Sequence, residues 1–263
     1  MHIPYTIIDY TLTPKESLHP YVLDAINAPV LALGEEHEKT EIVAAFKKIL
    51  AQRCELGLLK WVAVEYFNVK QQSLLDKWLQ RRIDWKDLVR EYSKGPEGFN
   101  LEVYKPILET ARACNVRIVG VMPPRTEANR IARGGEPRLK PCLPIEPSLY
   151  RGYSEDLKPL FPRSGPMARI PLEKLLLAQS YKDSLAACTV YSTLREYGAG
   201  GVLIMGWAHI EPRGSVPDRV ELLSGMRGLV WRIVFRSGRE IRGEERGSLL
   251  VLGGRMRVYA PGF

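Results

Sequence analysis

Four short apolar runs in this chain each lead directly into residues able to move protons or hold a ligand. Pro29–Leu33 (PVLAL) runs into Gly34, Glu35, Glu36 and His37, and Trp61–Val64 (WVAV) into Glu65, Tyr66 and Phe67. Val116–Val121 (VRIVGV) runs into Met122, Pro123, Pro124 and Arg125, and Gly201–Met205 (GVLIM) into Gly206, Trp207, Ala208 and His209. Histidine suits proton transfer near neutral pH or metal ligation. A carboxylate ending an apolar run, as Glu65 does, is partly buried, which raises its pKa, while a nearby cation lowers it. Glu65 is therefore a candidate base or ligand. Glu35 and Glu36 open the following helix, where the helix dipole favours negative charge.

The first and fourth junctions, LALGEEH and LIMGWAH, share an apolar triplet, Gly, two residues and His. That match suggests two half-units with one turn geometry facing each other, the Gly supplying either a positive φ or a close approach. His2 and His19 have no comparable context. On a third helix the polar Gln179 and Asp183 are i,i+4 partners on an otherwise apolar stripe, and so need partners of their own at the same edge. There is no Walker A motif, no G-x-G-x-x-G and no G-x-S-x-G, so nucleotide binding and a serine-hydrolase elbow lack support. His37-Glu38-Lys39-Thr40-Glu41 imitates a zincin motif but ends in Glu rather than His.

Nearly continuous β-branched runs are how strands buried on both faces of a parallel sheet read. Helical periodicity lies between them. In Glu38–Gly57 the residues Ile42, Phe46, Ile49, Leu50 and Cys54 share a face; Leu101–Cys114 and Leu172–Tyr197 behave likewise. The spacing predicts an α/β fold with a mostly parallel central sheet flanked by helices. In such a sheet the strand ends share one edge, where ligands bind. Pro137–Pro171 holds eight of the 19 prolines, which excludes a regular helix or central strand. It is expected to be a loop crossing the mouth of the site. After Arg219 the pattern changes to short strands, Gly228–Arg236 and Leu249–Tyr259, expected to form a C-terminal antiparallel β pair. The organisation expected is an α/β unit over residues 1–220 with a β extension over 221–263 packed on it.

The 263 residues are 45% hydrophobic and 26% charged, the balance of an ordinary globular protein rather than a disordered one. No apolar stretch is long enough for a membrane span and the start lacks the pattern of a signal peptide, so a cytoplasmic protein is expected. Cys54, Cys114, Cys142 and Cys188 are scattered with no C-x-x-C, so neither a structural zinc site nor a disulfide framework is indicated. The net charge is +8, with eight arginines against three glutamates between Gly225 and Arg257. No nucleic-acid-binding motif accompanies them. The reading is a solvated, ion-paired surface on a heat-adapted protein, with nucleic acid not expected as a partner.

The elements GEEHEKTE (34–41), VAVEYFNVKQQSLLDKWLQRRID (62–84), YKPILETARACNVRIVGVMPPRTEANRIARGG (104–135), QSYKDSLA (179–186) and MGWAHIEPRGSVPDR (205–219) together resemble the ChaN-like haem-binding-uptake domain of the Tiki superfamily. That superfamily also includes erythromycin-esterase-like hydrolases and Tiki-type proteases. The resemblance implies that Glu35 and His37 form the G-E-x-H element, that Glu65 is the acid after the second strand, and that His209 is the late histidine. Arg125, Arg130 and Arg133 match the basic stretch after the third strand, where Met122-Pro123-Pro124-Arg125 replaces Asn-Ala-Pro-Arg. The esterase-like branch implies a His/Glu pair activating water; Arg125, Arg130, Arg133, Gln179 and Asp183 are the candidates to bind a substrate, expected to be an anionic small molecule or peptide. The Tiki branch implies a divalent metal (Mn, Zn or Co) on His37, His209, Glu35 and Glu65. The ChaN branch implies haem, with Arg residues on the propionates and Tyr66 or a histidine near the iron. Hydrolysis of an ester or amide bond is the leading expectation, and haem or tetrapyrrole binding without catalysis the alternative.

Overall fold

A computed structural model describes residues 25–150, 152–161, 164 and 166–235, and the backbone of 5–9 and 255–259. His2, His19 and Arg236, Arg239, Arg242 and Arg246 of the C-terminal arginine cluster lie outside the described residues. Seven strands form one sheet: β1 (Tyr5–Asp9), β2 (Val30–Glu35), β3 (Trp61–Asn68), β4 (Arg117–Met122), β5 (Gly201–Gly206), β6 (Val230–Val234) and β7 (Arg255–Tyr259), in the order β1-β7-β6-β2-β5-β3-β4. Strands β6, β2, β5, β3 and β4 run parallel. All residues of β2, β3 and β5 are buried, which is what unbroken apolar runs require.

Alternate residues of these strands feed two cores, following the period of two along a strand. Leu31, Leu33, Val62, Val64, Val202 and Ile204 pack on one face with helices α1 (Thr40–Glu55), α2 (Gln72–Leu79), α3 (Trp85–Tyr92) and α4 (Leu101–Ala113). Val30, Ala32, Trp61, Ala63, Leu203 and Met205 pack on the other with α7 (Leu172–Tyr197) and α8 (Val216–Ser224). Helix α1 begins two residues later than its periodicity implies, because Glu38 takes a positive φ of 62°.

Three expectations need correction. Strand β6 does pair antiparallel with β7, but it is not confined to that pair. Its longer pairing is parallel, over five residues of β2, and its antiparallel register with β7 covers three residues. Val230, Ile233 and Val234 are buried, so β6 belongs inside the sheet, while β7 pairs over five residues with β1. The proline-rich segment is not structureless. It carries helix α6 (Tyr153–Leu157), helix α5 (Arg125–Ala132) precedes it, and short 3-10 turns occupy 147–149, 158–160 and 166–169. Finally, all four cysteines are bonded, Cys54 to Cys114 and Cys142 to Cys188. They are 60 and 46 residues apart in sequence, yet their Cα atoms come within 6.0 and 5.8 Å. Wide spacing hid the pairs because tertiary contacts alone bring the end of α1 to the end of α4, and the proline-rich segment to α7.

Candidate active site

β2, β5 and β3 are adjacent in the sheet, so their carboxyl ends set Glu35, Gly206 and Glu65 side by side; Glu35 pairs with Gly206 in the register. Glu65 lies within β3 rather than after it. The register of β3 on β4 shifts between Val64 and Asn68, and such an irregularity re-aims side chains near it. Glu65 is buried, and the Gly206 backbone N–H donates to its Oε2 at 2.5 Å. A 3-10 turn at Trp207–His209 follows β5 directly and carries the buried His209 ring back over the strand ends, with Nε2 3.5 Å from Glu65 Oε1. His37, whose side chain is 42% exposed, approaches from the β2 side, with Nε2 3.9 Å from Glu65 Oε2.

Each histidine is backed by its own buried carboxylate. His37 Nδ1 is 2.9 Å from Glu35 Oε1. His209 Nδ1 bonds to Asp183 Oδ1. A carboxylate can only accept, so that nitrogen of His209 carries the proton. Gln179, one turn earlier on α7, lies beside the same ring, its Nε2 2.9 Å from Nδ1 and 3.5 Å from Nε2; as an amide donor it can donate only to the unprotonated Nε2. The centre is therefore Glu65 between two acid–histidine pairs, contributed by β2, β3, β5 and α7.

The electrostatics set the protonation states. Burial raises Glu65, but His209, His37, the Gly206 N–H and Lys182 together outweigh it and hold the carboxyl below the usual range. Burial lowers His37, but the hydrogen bond to Glu35 and the charges of Glu65 and Glu35 push it up to about 9. Burial raises Glu35, against the opposing pull of His37. At neutral pH Glu65 is a carboxylate and His37 an imidazolium.

Both junction glycines serve close approach rather than a positive φ. A Cβ on Gly206 would lie 2.7 Å from His37 Nε2 and 3.3 Å from Glu65 Oε2; one on Gly34 would lie 3.2 Å from the backbone of Trp207. The sequence reading passed over Lys182 and Tyr153. Lys182, between Gln179 and Asp183 on α7, is pushed down by burial, drawn up by Glu65 and Asp183, and pushed down by Arg125. Its sequence signal was its place in the polar interruption of an apolar helix. Tyr153 had no local signal, because it comes from the proline-rich segment and donates to Asp183 Oδ2 at 2.9 Å.

The structure does not bring every candidate together. Arg125 is exposed at the start of α5, its charge is felt by Lys182, and its backbone N–H donates to Glu97 at 3.4 Å. Arg130 packs instead beneath Gly135, where a Cβ would sit 2.7 Å from its Cγ. Arg133 is exposed at the end of α5. The expected divalent-metal site is not supported. Among the described residues no group of three His, Cys, Asp or Glu is arranged to hold an ion. The physical reason is that the ring nitrogens face carboxylates of their own, and Glu65 occupies the position on which the two histidines converge.

A family model described as haem-binding uptake, Tiki superfamily, ChaN matches residues 22–220. No curated protein matches the chain. Among solved structures, ChaN of Campylobacter jejuni, described with cofacial haem binding, is 18% identical with a TM-score of 0.61; the match covers 97% of this chain and 96% of that one. An erythromycin esterase mutant in its open conformation is 13% identical with a TM-score of 0.52, covering 99% of this chain and 84% of the esterase. The C-terminal region of Pasteurella multocida toxin, described with a thiol-protease-like catalytic triad, is 11% identical with a TM-score of 0.50, covering 83% of this chain and 25% of the toxin chain. At these identities the structural likeness establishes the shared fold.

Proposed function

We propose that this chain, which belongs to the ChaN family of the Tiki superfamily, hydrolyses an ester or amide bond with a His/Glu centre. The observation that carries this is the Glu65 carboxylate held between two histidines, each backed by a buried acid. In this reading His209, oriented by Asp183, presents the Nε2 lone pair and takes a proton from water, and Glu65 orients that water. The hydroxide oxygen bonds to the carbonyl carbon. When the bond to the leaving group breaks, the leaving atom keeps the electron pair and takes the proton of the His37 imidazolium. Arg125 and Lys182 form a cationic border suited to an anionic substrate.

Haem, named in the family's description, is the second reading. Its iron needs an accessible donor. Tyr66 is wholly buried and stacked on Tyr104 at 3.7 Å. His37 directs one nitrogen at Glu35 and the other at Glu65. In this arrangement Tyr66 does not fit as an axial ligand, and His37 could approach iron only by giving up its place beside Glu65. The two disulfides suit an oxidising compartment or a heat-adapted protein, which sets them against the cytoplasmic expectation for a mesophile.

The deciding experiment is turnover of neutral and anionic p-nitrophenyl esters by the wild type, Glu65→Gln and His209→Asn, beside a haem titration followed by absorbance. The reading expects hydrolysis that falls about a hundredfold or more in each variant. Stoichiometric haem uptake without any hydrolysis would overturn it.

A further inference from the structure

Among the described residues, the proline-rich segment reaches the site through the side chain of Tyr153. Tyr153, wholly buried, donates its hydroxyl to Asp183 Oδ2 at 2.9 Å. The other oxygen of Asp183 bonds to His209 Nδ1, and His209 Nε2 lies 3.5 Å from Glu65 Oε1. A chain of four buried groups therefore runs from a segment outside the sheet to the central carboxylate. We propose that Tyr153 is a positioning residue for His209, fixing the Asp183 carboxylate so that the proline-rich segment sets the geometry of the site's base. This rests on the hydrolase reading only for its effect on rate.

The segment is built to hold that phenol still. The Arg219 guanidinium, itself fully buried, stacks on Tyr150 at 3.8 Å and on Tyr153 at 4.9 Å. It also donates to Ser180 O at 2.5 Å and to Ser184 Oγ at 2.6 Å, locking the two tyrosines to α7 beside Asp183. Ser184 Oγ donates to Pro144 O at 2.7 Å, Tyr181 OH to Leu139 O at 3.1 Å, and Cys142 is bonded to Cys188. These ties run from the segment to α7 on both sides of Asp183. A buried carboxylate oxygen with no donor is costly. Without Tyr153 the Asp183 charge would be concentrated on the bond to His209, and its lateral position would be free to change.

The test uses the full chain with Tyr153→Phe and, in a second protein, 3-fluorotyrosine placed at position 153. The first removes the donor; the second keeps the shape and strengthens it. The readout is the low-field proton resonance of His209 Nδ1–H, with kcat and KM measured separately. The proposal expects the resonance to move downfield in Tyr153→Phe, as Asp183 becomes the stronger acceptor, and upfield with fluorotyrosine. It expects kcat to fall about tenfold in Tyr153→Phe at unchanged KM. An unmoved resonance in both proteins, with folding intact, overturns it. If the resonance moves but no protein hydrolyses any ester, the positioning role stands and the hydrolase reading alone fails.

Discussion

Gly206→Ala adds one methyl group at the point where the two halves of the site touch. The backbone at Gly206 has φ −53° and ψ 139°, an ordinary conformation for alanine, so any effect is steric. The new Cβ would lie 2.7 Å from His37 Nε2, 2.8 Å from its Cε1 and 3.3 Å from Glu65 Oε2, where carbon contacts settle at about 3.5–4.0 Å. About 1 Å of overlap must be relieved. The His37 ring, 42% exposed, can swing toward solvent; the Glu65 carboxylate, held by the Gly206 N–H, cannot. The swing breaks the 2.9 Å bond to Glu35. The other oxygen of Glu35 already has no hydrogen-bond partner among the described residues. Leaving a buried acceptor unpaired costs about 1–3 kcal/mol, so a loss near ~2 kcal/mol is expected. Released from its two carboxylates, His37 should titrate near its ordinary value rather than at about 9. The assay is an NMR titration of the His37 ring beside urea denaturation and ester turnover. A variant in which His37 still titrates near 9 with full turnover would refute the close-contact argument. Gly201→Ala is the contrast: its Cβ would fall 1.9 Å from the wholly buried Trp61 ring. With no solvent to yield into, it should fail to give soluble folded protein.

Three further outcomes follow from the same geometry. Because the folded-state pKa of His37 is raised, its contribution to stability is fully present below about 6.5 and is lost as pH rises through about 9. The gap corresponds to about 3 kcal/mol at face value, but solvent screening of a ring 42% exposed reduces it to about 1 kcal/mol. Denaturation at pH 6 and pH 10, for the wild type and His37→Asn, should show that difference in the wild type alone, and turnover should fall on the same alkaline limb. In Asp183→Asn the amide oxygen would accept from Tyr153 and the NH2 would face His209 Nδ1, which forces the wrong tautomer, so kcat should drop by about three to four orders of magnitude with circular dichroism unchanged; full activity would remove Asp183 from the centre. Cys54→Ser with Cys114→Ser opens a link across 60 residues and should cost about 4 kcal/mol on the chain-entropy account; equal stability of variant and wild type under non-reducing conditions would show that the bond contributes nothing.

The sequence by itself determined the parallel core and its chemical edge. PVLAL, WVAV and GVLIM are apolar without alternation, and only burial on both faces accommodates such runs, so Glu35, His37, Glu65 and His209 had to emerge at one end of the sheet. The i,i+4 spacing of Gln179 and Asp183 on an apolar stripe marked them as polar groups in need of partners, and the His209 ring lies beside both. Tertiary structure alone decided how these groups are used. Whether two histidines converge on a metal or turn to separate carboxylates depends on side-chain directions over a few ångströms, which periodicity does not encode. The same holds for Tyr153 meeting Asp183 across 30 residues, and for cysteines 60 and 46 residues apart that close into disulfides. Local pattern reports which face of an element is buried; which elements then meet depends on how the helices pack over the whole sheet, and no window of neighbouring residues contains that information.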